Sequence, residues 1–154
     1  MFRRISMGVI CAAALVTSSA TVFAQAAAFG SAAEAKAMLE KAVVAVSADK
    51  AKAFATFKAG EGGFKDRDLY PFCANSGDGT INAGPPSLIG KNLKELKDST
   101  GKAFGEEMAK VAVEGKINEV NYMFPRPGAD TTPVQKTSFI TKVTDQTCGV
   151  GYYK

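Results

Sequence analysis

Two strand-like runs near the C-terminus, Val134 to Val143 and Gln146 to Tyr153, are separated only by Thr144-Asp145. Two residues suffice for a tight hairpin turn and for no longer connection, so the runs are antiparallel neighbours; a parallel pair would need a crossover of a dozen residues or more. A third run, Ile117 to Phe124, precedes them. Further back, Asp68 to Ala74 reads as a strand, Asn75-Ser76-Gly77-Asp78-Gly79 as a hairpin turn and Thr80 to Ala83 as the returning strand. Pro71 sits awkwardly in the first of these, because proline removes a ladder donor and belongs at an edge or a bulge.

Helices fill the gaps. Ser31 with Glu34 forms a capping-box pattern, after which Met38, Leu39, Ala42, Val43 and Val46 recur at helical spacing. Ser47 and Asp49 interrupt that run, and a further turn of helix carries the core aromatics Phe54 and Phe57 to a stop at Gly60; one kinked helix or two in sequence would both fit. A second helical segment, Lys102 to Glu114, places Phe104, Met108, Val111 and Ala112 on one face. The order helix, two strands, helix, three strands gives an α+β domain with one antiparallel sheet. The longest connections, 84 to 101 and 125 to 133, are expected to cross the sheet and enclose a cavity.

Composition then narrows the chemistry. The 154 residues, 46% of them apolar, suffice for one core, and the absence of His removes a Ser-His-Asp triad, a Cys-His dyad and His-ligated zinc or haem. No metal is expected: Asp68, Asn75 and Asp78 lack the alternating order and closing Glu of a calcium loop. Gly60-Glu61-Gly62-Gly63 is not followed by the Lys-Ser/Thr of a phosphate loop. No paired carboxylates stand at a catalytic spacing, since Glu106 and Glu107 are adjacent on a helix and diverge. The chain is not expected to be an enzyme, and no cofactor is expected.

Residues 1–24 carry Arg3 and Arg4, an apolar stretch from Met7 to Val16 and a small-residue ending at Val22-Phe23-Ala24, the pattern of a cleaved secretory signal peptide. An uncleaved anchor is the competing reading, but roughly 10 apolar residues fall short of the roughly 20 that span a bilayer. Residues 25–30 then form a short tail and 31–154 the domain, in the periplasm or secreted. Without Arg3 and Arg4, 17 basic residues face 15 acidic ones, and the lysines are scattered rather than striped, so no nucleic-acid partner is expected. Cys11 leaves with the signal. Cys73 and Cys148 remain in an oxidising compartment, which favours a disulfide; the competing reading is a reactive thiol.

Several short motifs occur in order along the domain: Gly63-x-Phe, Asp68-Leu69-Tyr70, Asp78-Gly79-Thr80, Leu88 to Leu93, Asp98-x-x-Gly101-Lys102, Tyr122 with Phe124-Pro125-Arg126-Pro127, Lys136 to Phe139, and Gly149-Val150-Gly151-Tyr152-Tyr153. In this series the chain resembles the bacterial single Cache domain, type 2, from about Ser31 to Lys154. The resemblance implies a PAS-like five-stranded antiparallel sheet of order 2-1-5-4-3, behind a long N-terminal helix and with a helix between strands 2 and 3. It places the strand of Cys73 beside that of Cys148, in agreement with the disulfide. It also implies extracytoplasmic sensing of small molecules, often short organic acids.

A small carboxylate in an apolar cavity needs a donor at one end and apolar walls at the other. Arg126 offers a two-pronged donor, Lys136 (at the matched family position) a point charge, and Tyr122 a hydroxyl. Tyr70, Phe124 and Phe139 are candidate walls. Most relatives sit between membrane helices and signal to a kinase or chemotaxis module, whereas this sequence stops at Lys154 after the last strand. The expected function is a periplasmic binding and sensing module that presents its ligand state to a separate membrane receptor or sensor kinase. The alternative is an envelope protein-protein interaction module with no small ligand.

Overall fold

The computed structural model describes residues 28–128 and 130–154. The expected signal peptide over 1–24 and the start of the tail expected over 25–30 lie outside the described residues. The capping box forms as expected: Ser31 Oγ accepts from Glu34 N at 3.3 Å while the Glu34 carboxylate accepts from Ser31 N at 2.7 Å, opening helix α1 (Ala32–Ala48). Its buried stripe is Ala35, Met38, Leu39, Ala42 and Val46. Full burial of one such side chain, Leu39 for example, contributes about 2 kcal/mol. Asp49 adopts extended backbone, which ends α1, and its carboxylate accepts from Lys52 N at 3.0 Å, which starts α2 (Lys50–Ala59). Two helices in sequence are therefore present, and Gly60 closes the second in the left-handed region at φ 68°.

Strand β1 (Pro71–Asn75) begins three residues later than the sequence suggests. Asp66 and Leu69 exchange backbone hydrogen bonds of 3.1 and 2.8 Å around Arg67 at φ 54°, a tight turn that holds residues 66–69 out of the sheet. The Arg67 guanidinium ties that turn to Glu34 at 2.6 Å and to the Phe29 carbonyl at 3.0 Å. Pro71 is thus the first residue of its strand, where a missing N–H is tolerated, and pairs with Val150. Its neighbour on the other side, β2 (Ile81–Ala83), pairs only from Cys73 onward.

Helix α3 (Phe104–Val111) is shorter than the expected 102–114. At its start Lys102 N is drawn to the Asp98 carboxylate at 3.0 Å; at its end a Val113–Lys116 turn and a bridge from Glu114 to Lys142 take the chain out of helix. Strands β3 (Asn118–Pro125), β4 (Pro133–Val143) and β5 (Gln146–Tyr153) complete one antiparallel sheet of order β2-β1-β5-β4-β3, the expected order. The outer edge of β3 is covered in part by the 98–102 loop: Asp98 accepts from Met123 N at 3.0 Å and Lys102 Nζ donates to Asn121 O at 2.6 Å.

Side-chain parity divides the sheet into two cores. One face, with Cys73, Phe139, Val143, Cys148 and Val150, packs beneath α1 and α2. The other, with Phe72, Ile81, Val120, Tyr122 and Ile140, packs against Leu93, Phe104 and Met108. Cys73 and Cys148 are directly opposed in the β1–β5 ladder and joined by a disulfide beneath α1.

Candidate functional site

The two long connections enclose a cavity, as their lengths suggest. Gly84 to Leu88 and Pro125 to Gly128 border an outer cavity of about 490 Å³, with the end of α2, Asp68, Tyr70 and Tyr153 completing its wall. That is the size of a small-molecule site. Behind it, on the α3 face of the sheet, lies an inner cavity of about 20 Å³ lined by Tyr70, Phe72, Phe104, Tyr122, Lys136 and Gly151 among others. That is room for about one water. Tyr70, Leu88 and Phe124 line both and form the partition. The inner space is small because Phe104 stacks flat on Tyr122, with ring centroids 4.2 Å apart.

Lys136 lies at this partition and is 2% exposed. It sits on β4 opposite Tyr153 of β5 and Tyr122 of β3. Its Nζ donates to the hydroxyls of Tyr70 at 3.3 Å and Tyr153 at 3.4 Å, and stands 4.6 to 5.1 Å from the ring centres of Tyr153, Tyr70 and Phe124. None of the ion pairs among the described residues involves it. Burial pulls the ammonium down to about 8, against the opposing field of the Asp68 carboxylate. The same dryness pushes Tyr70 up to about 12, with Asp68 adding to the effect, and raises Tyr153 and Tyr122. An ammonium whose hydrogen bonds go only to neutral hydroxyl acceptors, among ring faces, keeps its appetite for an anion.

Space for Lys136 comes from β5. A Cβ on Gly151 would lie 2.5 Å from Lys136 Cε and 2.6 Å from Ser138 Oγ, so the lysine stem occupies what a larger residue would fill. Ser138 in turn bonds the Tyr122 hydroxyl at 2.9 Å, which fixes that ring under Phe104. Tyr153 is anchored by donating its hydroxyl to Pro125 O at 2.6 Å.

Of the residues singled out from sequence, Lys136, Tyr122, Tyr70 and Phe124 converge on the inner cavity, and Arg126 borders the outer one. The Arg126 guanidinium lies 4.3 Å from the Phe29 ring centre and 5.5 Å from that of Tyr153, with a long bond of 3.4 Å to Lys154 O. Phe139 requires a correction. It is one residue out of phase with Lys136 and Ser138, so its ring lies on the opposite face, stacked on Tyr152 at 5.6 Å in the core under α1, and lines neither cavity. Sequence reasoning missed Tyr153, Gly151 and Asp68. The alternation Gly149-x-Gly151-x-Tyr153 was a usable signal, because residues two apart share a face and two bare positions beside a tyrosine leave room. Asp68 stands in the Asp68-Leu69-Tyr70 motif, which by itself assigns it no place on a cavity.

A family model described as a Cache domain matches residues 27–152. Among solved structures, the chain is similar to a methyl-accepting chemotaxis protein from Vibrio parahaemolyticus, at 24% identity over 79% of this chain and 86% of that one, with a TM-score of 0.61. It is similar to a periplasmic sensor domain of a chemotaxis protein at 22% identity, over 77% of this chain and 86% of that one, with a TM-score of 0.57. A Cache chemosensory domain solved for its recognition of carboxylic acids shares 24% identity, over 77% of this chain and 84% of that one, with a TM-score of 0.56. Likenesses at such identities bear on the fold. No curated protein shows a significant match. The family match covers most of the sequence and the sheet order agrees with it: the chain belongs to the Cache domain family.

Proposed function

We propose that this Cache domain is an extracytoplasmic binding module for small carboxylates, exported by the segment 1–24 and without catalytic activity of its own. The observation that carries the reading is Lys136: a buried ammonium held by two tyrosine hydroxyls and three ring faces, with no carboxylate among the described residues in ion-pair contact, at the partition between two cavities. Leaving a charge in such a place is costly unless an anion completes it. A short acid entering from the outer cavity meets the Lys136 and Tyr70 donors at its head, while Leu88 and Phe124 cover its tail. The chemotaxis proteins of similar fold support a sensing role in the periplasm, reported to a membrane receptor.

Isothermal calorimetry of the purified protein against acetate, propionate, butyrate and succinate tests this. At least one acid is expected to bind the wild type, and Lys136→Met is expected to abolish that binding while folding normally. Equal affinity in the folded variant, or no binding of any short or substituted acid to the wild type, overturns the proposal.

A further inference from the structure

Phe29 and Gly30 lead the chain into α1, and three residues of the outer cavity's wall hold them there. Arg67 Nη1 donates to Phe29 O at 3.0 Å, Asp68 Oδ1 accepts from Gly30 N at 2.6 Å, and the Arg126 guanidinium lies 4.3 Å from the Phe29 ring centre. Arg67, Asp68 and Arg126 all line that cavity. Gly30 is buried so closely against Leu69 that a Cβ would fall on the leucine side chain. Among the described residues no backbone–backbone hydrogen bond reaches Phe29 or Gly30. A segment without ladder or helix bonds opens locally, at a free energy well below that of global unfolding.

The closed arrangement is also under-satisfied. Asp68 Oδ2 and Arg126 Nε are buried side-chain atoms without a hydrogen-bond partner, and they belong to two of the three residues that hold the segment. Asp68 is 4% exposed and gives its other oxygen to Gly30 N, while Arg126 has its guanidinium against the rings of Phe29 and Tyr153. Buried polar atoms are nearly always paired, because an unpaired one forfeits its hydration. Lifting Phe29 and Gly30 off the wall lets water reach both atoms, so closure works against a penalty that opening removes.

We propose that Phe29 and Gly30 form a strap that gates the outer cavity: closed, it buries Asp68 and Arg126 in the wall; open, it bares both. The inference goes beyond the proposed function and does not depend on what the cavity takes. Ser31 is the hinge, since its capping box with Glu34 starts a continuous helix and stops the opening there. Arg67 stays tied to Glu34 and Asp66 and gives up only its bond to Phe29 O. The wall and the chain entering α1 therefore change state together.

Hydrogen exchange of the purified protein, resolved by amide in NMR, tests the strap. The Gly30 amide is expected to exchange a hundred-fold or more faster than the Leu39 amide in α1, at a rate insensitive to low urea, while Leu39 follows global unfolding. Carbodiimide coupling of glycinamide to carboxylates, read by mass spectrometry, reports what opening bares. Asp68 is expected to be labelled ten-fold or more faster in Gly30→Ala, whose methyl holds the strap away from Leu69, while exposed Glu114 keeps its rate. Phe29→Ala removes the ring from Arg126 without adding bulk and is expected to act in the same direction. Gly30 exchange as slow and as urea-sensitive as that of Leu39 overturns the inference, as does an unchanged Asp68 rate in the folded variants.

Discussion

Replacing Lys136 by Met should make the protein more stable, and by an amount that depends on pH. Burial lowers this ammonium from 10.5 to about 8. That difference corresponds to about 3 kcal/mol of cost at neutral pH, where both folded and unfolded chains carry the proton. Methionine fills a similar volume without the charge. The loss on the other side is the partner of the Tyr70 hydroxyl, about 1 kcal/mol, since Tyr153 still donates to Pro125 O. The net expectation is a gain of about 2 kcal/mol at pH 7. As pH rises from about 8 towards 10.5, the folded chain has lost the proton while the unfolded chain keeps it, so wild-type stability rises relative to the variant and the gap closes. Asp68 opposes the shift, Arg126 stands nearby, and Tyr70, Tyr122 and Tyr153 are all raised out of this window by burial. Urea denaturation of both proteins at pH 7, 8, 9 and 10 reads the gap directly. A wild type more stable than the variant at pH 7, or two curves that stay parallel to pH 10, would refute the account of Lys136 as a desolvated charge.

Two other perturbations test the frame that holds the site. Cys73 and Cys148 are 75 residues apart in sequence, and in the chain-entropy picture a link of that span restrains the unfolded chain by about 4 to 5 kcal/mol. The Cys73→Ala, Cys148→Ala double variant is therefore expected to melt well below the oxidised protein in calorimetry; equal midpoints would show that the bond adds nothing to the fold. Gly151→Ala places a methyl against Lys136 Cε and Ser138 Oγ, both ends of movable side chains, so the protein is expected to fold with a loss of about 1 to 3 kcal/mol while acid binding weakens ten-fold or more. Unchanged affinity in folded Gly151→Ala would show that the lysine position does not matter to the ligand.

Local chemistry accounts for what was legible in the sequence. The Ser31–Glu34 box, the Asp49 break and the Thr144-Asp145 turn are each specified by residues a few positions apart, and each forms as the sequence suggests. Boundaries fail where distant groups compete. The start of β1 moves to Pro71 because Arg67 ties its turn to Glu34, a contact across 33 residues, and α3 loses its first turn to Asp98. The site follows the same division. Alternation along β3 places Tyr122 and Phe124 on one face, and the odd spacing of Lys136 and Phe139 on β4 places those two on opposite faces, a parity that is legible in the sequence. Asp68 was visible as part of the Asp68-Leu69-Tyr70 motif, but its place on the cavity was not, because that comes from walls contributed by α2, β3 and β5.

The disulfide and Lys136 stand in a common physical relation. The α1 face of the sheet is apolar and stapled at Cys73–Cys148, whereas the α3 face carries a buried ammonium, a glycine where a side chain could pack, and hydroxyls in place of methyl groups. A domain of this size has a stability of the order of 10 kcal/mol, so about 3 kcal/mol lost at one lysine is a large fraction of the whole. The staple offsets a comparable amount from the opposite face and lies one strand away from the lysine, on β1 and β5, leaving the cavity walls untouched. Stability that resides in the α1 core therefore lets the α3 face keep an unpaired charge. An anion that pairs with that charge returns the cost as binding free energy, and by linkage must raise the proton affinity of Lys136 as it binds.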